Sequence, residues 1–186
     1  MTHIYNIEQT ERWDVVVKSF ARYDVYYLSG YVKAFQLHGD GIPQLFYYEA
    51  DGLKAIYVYM KRKTAIEGYF DSITPYGYGG VLFEGNTSEE NLQAFWLVFV
   101  EKMREEGIVD NFVRYHPVLA NAIPMKKIST VIDLGKTVAF DLSSPDVIWE
   151  NIISKNRNMI RKAEKNNIEI LLLCQVRYLL IVLSQK

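Results

Sequence analysis

Apolar positions fall at helical spacing in "ERWDVVVKSF", where Trp13, Val16, Val17 and Phe20 recur every three or four residues. A second helix, "YLSGYVKAFQL", follows the polar break "ARYD". Gly39 and Gly41 stop that pattern and the period changes. "QLFYYEADGLKAIYVYMKRK" is two runs of β-branched and aromatic residues around Asp51-Gly52, which predicts an antiparallel strand pair. A third short strand is expected around "IEGYFD". Ser88 then precedes "EENLQAFWLVFVEKMREEG", with acids in the first turn and Gly107 at the end. These signals predict a helix from about Glu89 to Glu106 whose buried side carries Trp96, Val98, Phe99 and Met103. "IVDNFVRYHP" and "KTVAFDL" predict further strands, and a last helix starts at "SSPDVIWENI", with Ser143 or Ser144 as cap and Pro145 in its first turn. Helices and strands interleave while the hairpin excludes a purely parallel sheet. The expected fold is therefore α/β of the α+β kind, a mixed, largely antiparallel sheet flanked by helices.

One stretch fits neither period. "SITPYGYGGVLFEG" places Gly77, Gly79 and Gly80 beside Tyr76 and Tyr78, between two apolar runs. Glycine admits positive φ or the close approach of another chain, Pro75 stiffens the entry, and the tyrosines offer flat faces and hydroxyls. Two readings stand: a bulged strand or tight turn, or a loop lining a ligand cleft.

Composition narrows the function classes. A chain of 186 residues with 49% hydrophobic and 23% charged residues is long enough for one well-buried domain, or for one domain and part of another. A net charge of -1 gives no global attraction to nucleic acid or anionic membrane, so a polyanion site has to come from local clustering. The single cysteine, Cys174, excludes an intramolecular disulfide framework and a cysteine-rich zinc site. The N-terminus has no basic leader followed by an apolar core, and the expected location is the cytoplasm.

Local clustering does occur in the last helix. Read as one wheel, "IWENIISKNRNMIRKAEKNNIEI" sets Trp149, Ile152, Ile153, Ile160 and Ala163 on one side and Lys155, Arg157, Arg161, Lys162 and Lys165 on the other. Such a basic face is either solvated surface or a rest for an anionic ligand such as a phosphate. Asn156 falls on the apolar side, so either the helix bends at "SKN" or that amide is hydrogen-bonded.

The combination of "DSITPYGYGG", "VRYHP" and "TVAFDLSSPDVIWENIISKNRNMIRKAEKNNIEI" resembles the Fem family, peptidoglycan bridge-forming aminoacyltransferases with a GNAT-like acyltransferase fold. The final helix is the most specific of these matches. The resemblance implies a first GNAT-like half over residues 1–142, the opening helix and strand of a second half over 143–170, and an atypical tail over 171–186 that reads as truncated or out of frame. It implies N-acyl transfer to an amine acceptor, such as a nucleotide-linked cell-wall precursor of the UDP-muramyl peptide kind, by a protein of which this chain is an incomplete part, with little or no transfer expected from it alone. The donor would be aminoacyl-tRNA or acyl-CoA as co-substrate, with no resident cofactor. Tyr76, Gly77, Tyr78, Gly79 and Gly80 would then wall the acceptor cleft, and Lys155, Arg157 and Arg161 would sit where anionic groups of a ligand approach. The alternative is a non-catalytic binding module that keeps this cleft. The Gly-x-Gly or Gly-x-Ala pyrophosphate loop of acetyl-CoA-dependent relatives is missing, and with it any residue to name for coenzyme A.

Other candidate chemistry is thin. His3, His38 and His116 show no metal-ligand spacing, and no metal is expected. His116, before Pro117, reads as serving a turn, with a catalytic role as the alternative. Asp71 and Asp141 could orient an amine or serve turns and caps. "MKRK" reads as edge protection of a strand end first and a ligand contact second. The run Leu171–Leu183, broken by Gln175 and Arg177, is too short to span a bilayer.

Overall fold

In the computed structural model, residues 1–175 and 178–185 are described, with side chains to Ile168. The chain forms two compact units, Met1–Gly135 and Lys136–Lys186.

The first unit opens with β1 (Thr2–Asn6), α1 (Thr10–Lys18) and α2 (Ser29–His38). The expected hairpin follows as β2 (Ile42–Ala50) and β3 (Leu53–Lys63), paired antiparallel from Ala50↔Leu53 to Ile42↔Lys61. Asp51 and Gly52 both take positive φ, +50° and +76°, the combination that a two-residue turn needs to match strand twist. Next come β4 (Phe70–Ile73), β5 (Leu82–Gly85), α3 (Glu89–Glu105), β6 (Ile108–Phe112) and the short α4 (Ala122–Met125). The sheet runs β1-β2-β3-β4-β6, with β5 also on β3. Every pairing is antiparallel except β4 with β6, so the mixed, largely antiparallel sheet flanked by helices is what forms. β1 and β5 lacked a periodic signal of their own, being only five and four residues long.

Helices cover both faces, which explains why β2 and β3 read as near-continuous apolar runs. Phe46, Tyr48, Leu53, Ala55, Tyr57 and Tyr59 pack against Leu92, Phe95, Phe99 and Met103 of α3. Leu45, Tyr47, Ile56, Val58 and Met60 point the other way, onto Trp13, Val17, Tyr27 and Val32. The expected buried side of α3 therefore shifts: Phe99 and Met103 are buried, Trp96 and Val98 are partly so, and Leu92 and Phe95 complete the stripe. β3 is central rather than an edge, which corrects the edge-protection reading of "MKRK". Lys61 Nζ instead donates to Glu106 at 2.7 Å, and Arg62 makes a two-pronged bond to Asp71 at 2.8 and 2.7 Å.

The second unit holds α5 (Pro145–Asn151), α6 (Ser154–Lys165), β7 (Ile168–Gln175) and β8 (Tyr178–Gln185), the last two paired antiparallel. Ser144 is the α5 cap, its Oγ accepting from Val147 N at 3.2 Å. Two expectations need correction here. "KTVAFDL" forms no strand: its alternation is intact, but among the described residues no strand pairs with it. The last helix is two helices, broken where Ile152 and Ile153 take extended backbone with ψ 128° and 148°. Two β-branched residues in succession at the break are consistent with that interruption. The tail's side chains lie outside the described residues.

Candidate functional site

The glycine-tyrosine stretch owes its composition to the path of the sheet. β4 pairs with the far end of β3, from Met60↔Ile73 to Lys63↔Phe70, and β5 pairs with its near end, from Leu53↔Gly85 to Ile56↔Leu82. The chain between them leaves β3 and returns to it. On its other side the segment follows β6 and its continuation. Thr74 N donates to Phe112 O at 3.1 Å, and the next link is Gly79 N to Arg114 O at 2.8 Å. A regular parallel ladder would place that second donor two residues beyond Thr74 rather than five. Pro75, Tyr76, Gly77 and Tyr78 are thrown out as a bulge, as the first of the two sequence readings has it.

The two halves of the bulge do different things. Gly80, at φ +92°, sits against Tyr115 Cδ1, 2.6 Å from where a Cβ would lie, and Gly79 approaches Thr74 Cγ2 to 2.9 Å by the same measure. Asn121 is buried behind them. Its Nδ2 donates to Gly79 O at 2.8 Å and to Tyr27 Oη at 3.1 Å, and its Oδ1 accepts from His116 N at 2.9 Å. The Tyr27 hydroxyl donates in turn to Gly80 O at 3.0 Å. Burial, with little to offset it, pushes the Tyr27 phenol far above its ordinary range, so it serves as a neutral donor. Tyr78 packs edge-on to Tyr26 and tilted against His116. These groups clamp the base of the bulge.

His116 belongs to the clamp. Its Nδ1 accepts from Leu119 N at 3.2 Å, which puts the ring proton on Nε2, 3.0 Å from Asp24 Oδ2. Both ring nitrogens are thus engaged, and no lone pair is free for general-base work. The turn reading of this residue agrees with the geometry: Ala120 N also bonds His116 O, and Ala120 takes φ +54°.

The outer half faces a groove. Tyr76 and Gly77 line a depression of about 390 Å³ together with Gly39, Asp40, Met60, Arg62, Ile73, Thr74, Pro75, Phe112 and Arg114. Gly77, at φ +97°, leaves room for the Tyr26 ring, and Tyr31 Oη donates to Tyr76 O at 2.9 Å. The Tyr76 ring stacks on Phe35, and the residue remains 73% exposed. Met60 and Ile73 give an apolar floor at the C-terminal end of β4, beside its parallel neighbour. Three charged groups stand around it. Arg62 is tied to Asp71, whose carboxyl that contact holds below the usual carboxylate range. Asp40 accepts from His38 Nδ1 at 2.9 Å, and Arg114 makes no side-chain hydrogen bond or ion pair among the described residues.

Of the residues expected at the site, Tyr76 and Gly77 line the groove, whereas Tyr78, Gly79 and Gly80 are built into the clamp. Lys155, Arg157 and Arg161 lie in the second unit. Arg157 Nη1 donates to Glu150 O at 3.1 Å and Trp149 O at 3.3 Å, capping α5, and Arg161 lies over the Trp149 ring at 5.3 Å. Lys155 is exposed, with no such contact among the described residues. The single-wheel division into basic and apolar faces therefore does not hold, because the break at Ile152–Ile153 changes the register between Trp149 and Arg161. Asp141 serves a turn, its Oδ1 accepting from Ser143 N at 2.9 Å. Sequence reasoning missed Asp40 and Arg114. The available signal for Arg114 was the strand pattern of "IVDNFVRYHP" running on beside the glycine loop.

Among the described residues no helix is long and apolar enough to cross a membrane, and no group of three His, Cys, Asp or Glu side chains is placed to hold a metal ion. No family model matches the chain, and no curated protein does. Two solved structures are similar to it. One is the ribosomal-protein-alanine N-acetyltransferase from Brucella melitensis biovar Abortus 2308, at 10% identity and a TM-score of 0.42 over 75% of this chain and 98% of that one. The other is an acetyltransferase of Trypanosoma brucei, at 7% identity and a TM-score of 0.33, also over 75% of this chain and 98% of that one.

Proposed function

We propose that the first unit is the acceptor-binding part of a GNAT-like N-acyltransferase of the Fem kind, and that the groove beside Tyr76 receives the amine-bearing substrate. The observation that carries the reading is the outer half of the bulge. Four residues are thrown out of a parallel strand pair, and two of them, Tyr76 and Gly77, wall a 390 Å³ groove with an apolar floor and charged rim. Ligands of open α/β sheets gather at the C-terminal ends of parallel strands, where neighbouring chains diverge. The resemblance of "DSITPYGYGG" and the α5–α6 segment to Fem proteins supplies the reaction class. The amine nitrogen attacks the acyl carbonyl, the new C–N bond forms, and the ester or thioester oxygen or sulfur leaves as the amine proton is lost.

An aminoacyl ester is already activated, so the protein's contribution is to hold the amine in line with the carbonyl rather than to generate a nucleophile from an inert group. That agrees with a His116 held in the clamp and an Asp71 engaged by Arg62. Aminoacyl-tRNA is the proposed donor, a nucleotide-linked muramyl peptide the proposed acceptor, and the cytoplasm the proposed location. In the second unit Lys155 is proposed as an anion contact, with Arg157 and Arg161 holding α5 and α6 together. Incubation with alanyl-tRNA and UDP-muramyl pentapeptide, followed by mass spectrometry of the peptide, tests the reading. A mass gain of one residue supports transfer. Binding of the peptide without any gain is expected of an acceptor-binding part alone, a gain that appears once a second GNAT-like half is restored separates it from the non-catalytic module, and absence of binding removes the acceptor-groove reading.

A further inference from the structure

Helix α6 carries an apolar arc and a dense set of cations, and both are open to solvent. Taken as a wheel of its own, α6 places Met159, Ala163 and Ile160 on one arc with Asn156 among them. Lys155 and Lys162 border that arc on one side, Arg157 and Glu164 on the other. A helix that packs on its own domain covers such an arc. Here Met159 is 61% exposed and Ile160 38%, Ile153 at the cap is 64% exposed, and neither α5 nor α6 contributes a buried residue. We infer that α6 docks on a membrane surface rich in anionic phospholipid, with Met159 and Ile160 entering the bilayer interface and the lysines meeting the headgroups.

Charge complementarity selects this partner. Five cations stand in α6 against the single acid Glu164, and none of them forms an ion pair among the described residues. Arg157 bonds backbone carbonyls, and Arg161 meets Asn158 and the Trp149 ring, so both keep their charge. The chain as a whole carries -1, so the attraction is local to this helix and orients it toward the lipid. Solvated surface alone accounts for the cations but not for exposed methionine and isoleucine between them. A nucleic-acid backbone would use the same cations and gain nothing from those two side chains. A bilayer interface uses both: the apolar arc sinks to the acyl boundary, while the stems of Lys155 and Lys162 reach back to the headgroups. Attachment by one short helix is weak and reversible. No residue of the Tyr76 groove takes part, so the inference stands apart from the acceptor reading.

The test is flotation of the full chain with vesicles of phosphatidylcholine alone and of phosphatidylcholine with about one-third phosphatidylglycerol. The expected result is roughly tenfold or more preference for the anionic vesicles, lost as salt is raised. Lys155→Gln, Lys162→Gln and Lys165→Gln together reduce the partition by about tenfold or more. Met159→Ser with Ile160→Ser reduces it about three- to tenfold and keeps the preference for anionic lipid. No partition by the parent, equal partition on both vesicles, or a serine variant that floats like the parent would overturn the inference. Binding of tRNA without vesicle partition would also overturn it and assign the basic face to nucleic acid. Circular dichroism checks that each variant keeps the parent's helix content, and the parent's lipid preference decides where one does not.

Discussion

The glycine-tyrosine bulge and helix α6 are the two stretches whose composition points to a ligand, and the structure uses them differently. In the bulge the unusual residues are divided along the chain: Gly79, Gly80 and Tyr78 are consumed by a buried clamp, which leaves Tyr76 and Gly77 on a groove. In α6 the unusual residues are largely consumed locally. Arg157 meets the open carbonyls at the end of α5, and Arg161 lies on the Trp149 ring, so two of three singled-out cations hold helix to helix. An arginine beside a helix end completes backbone hydrogen bonds that would otherwise go to water. Density of charge alone is therefore a weak pointer to a ligand.

The comparison can be broken first at the clamp. Gly80→Val puts a β-branched residue at φ +92° and drives its Cβ against Tyr115 and Asn121. The expected loss is roughly 3 kcal/mol or more, from strain and overpacking together, seen as a lower midpoint in urea. A midpoint unchanged from the parent would mean that the clamp does not hold the bulge. Next in size is the α5 cap. Arg157→Ala is expected to weaken the end of α5 by about 1 kcal/mol, read as faster hydrogen exchange at the Ile152 amide, which bonds Ile148 O. Lys155→Ala is expected to leave that rate alone. Equal effects of the two would show that the arginine contacts are incidental.

The smallest effect concerns the groove wall. Arg62 lowers the Asp71 carboxyl below its unfolded value through their hydrogen bonds. The contribution is therefore fully present above the unfolded carboxylate range, about pH 4, and is lost as pH falls through the depressed folded value. In Arg62→Gln the stability curve is expected to be flatter across that acid window and otherwise parallel to the parent. An unaltered slope would exclude a working ion pair at the wall.

Much of the fold was legible where period and punctuation agreed. Asp51-Gly52 announced its hairpin, and Ser88 and Gly107 bracketed α3, because those residues are selected by local backbone geometry. β1 and β5 were not legible, since strands of five and four residues are defined by the neighbours they meet rather than by their own pattern. "KTVAFDL" shows the converse: alternation makes a strand only when a partner is present. At the site, the bulge was legible from its glycines, but which tyrosine faces the groove was not. That depends on Asn121 and Tyr27, separated by 94 positions in the chain and brought together with the bulge by the sheet. Asp40 and Arg114 were hidden for the same reason, each an ordinary charge at the end of its element.

The central claim, that the outer half of the bulge is a binding wall and not only a by-product of the clamp, is tested most directly at Tyr76. The residue is 73% exposed and its side chain makes none of the clamp's hydrogen bonds, so removing the ring leaves the clamp in place. Calorimetric titration of UDP-muramyl pentapeptide into the parent and into Tyr76→Ala, with both melting temperatures recorded, is the measurement. The account predicts matching melting temperatures and binding that is about five- to tenfold weaker in the variant, the loss of one aromatic contact. Equal affinities in two equally stable proteins, or a parent that does not bind the peptide, would contradict it.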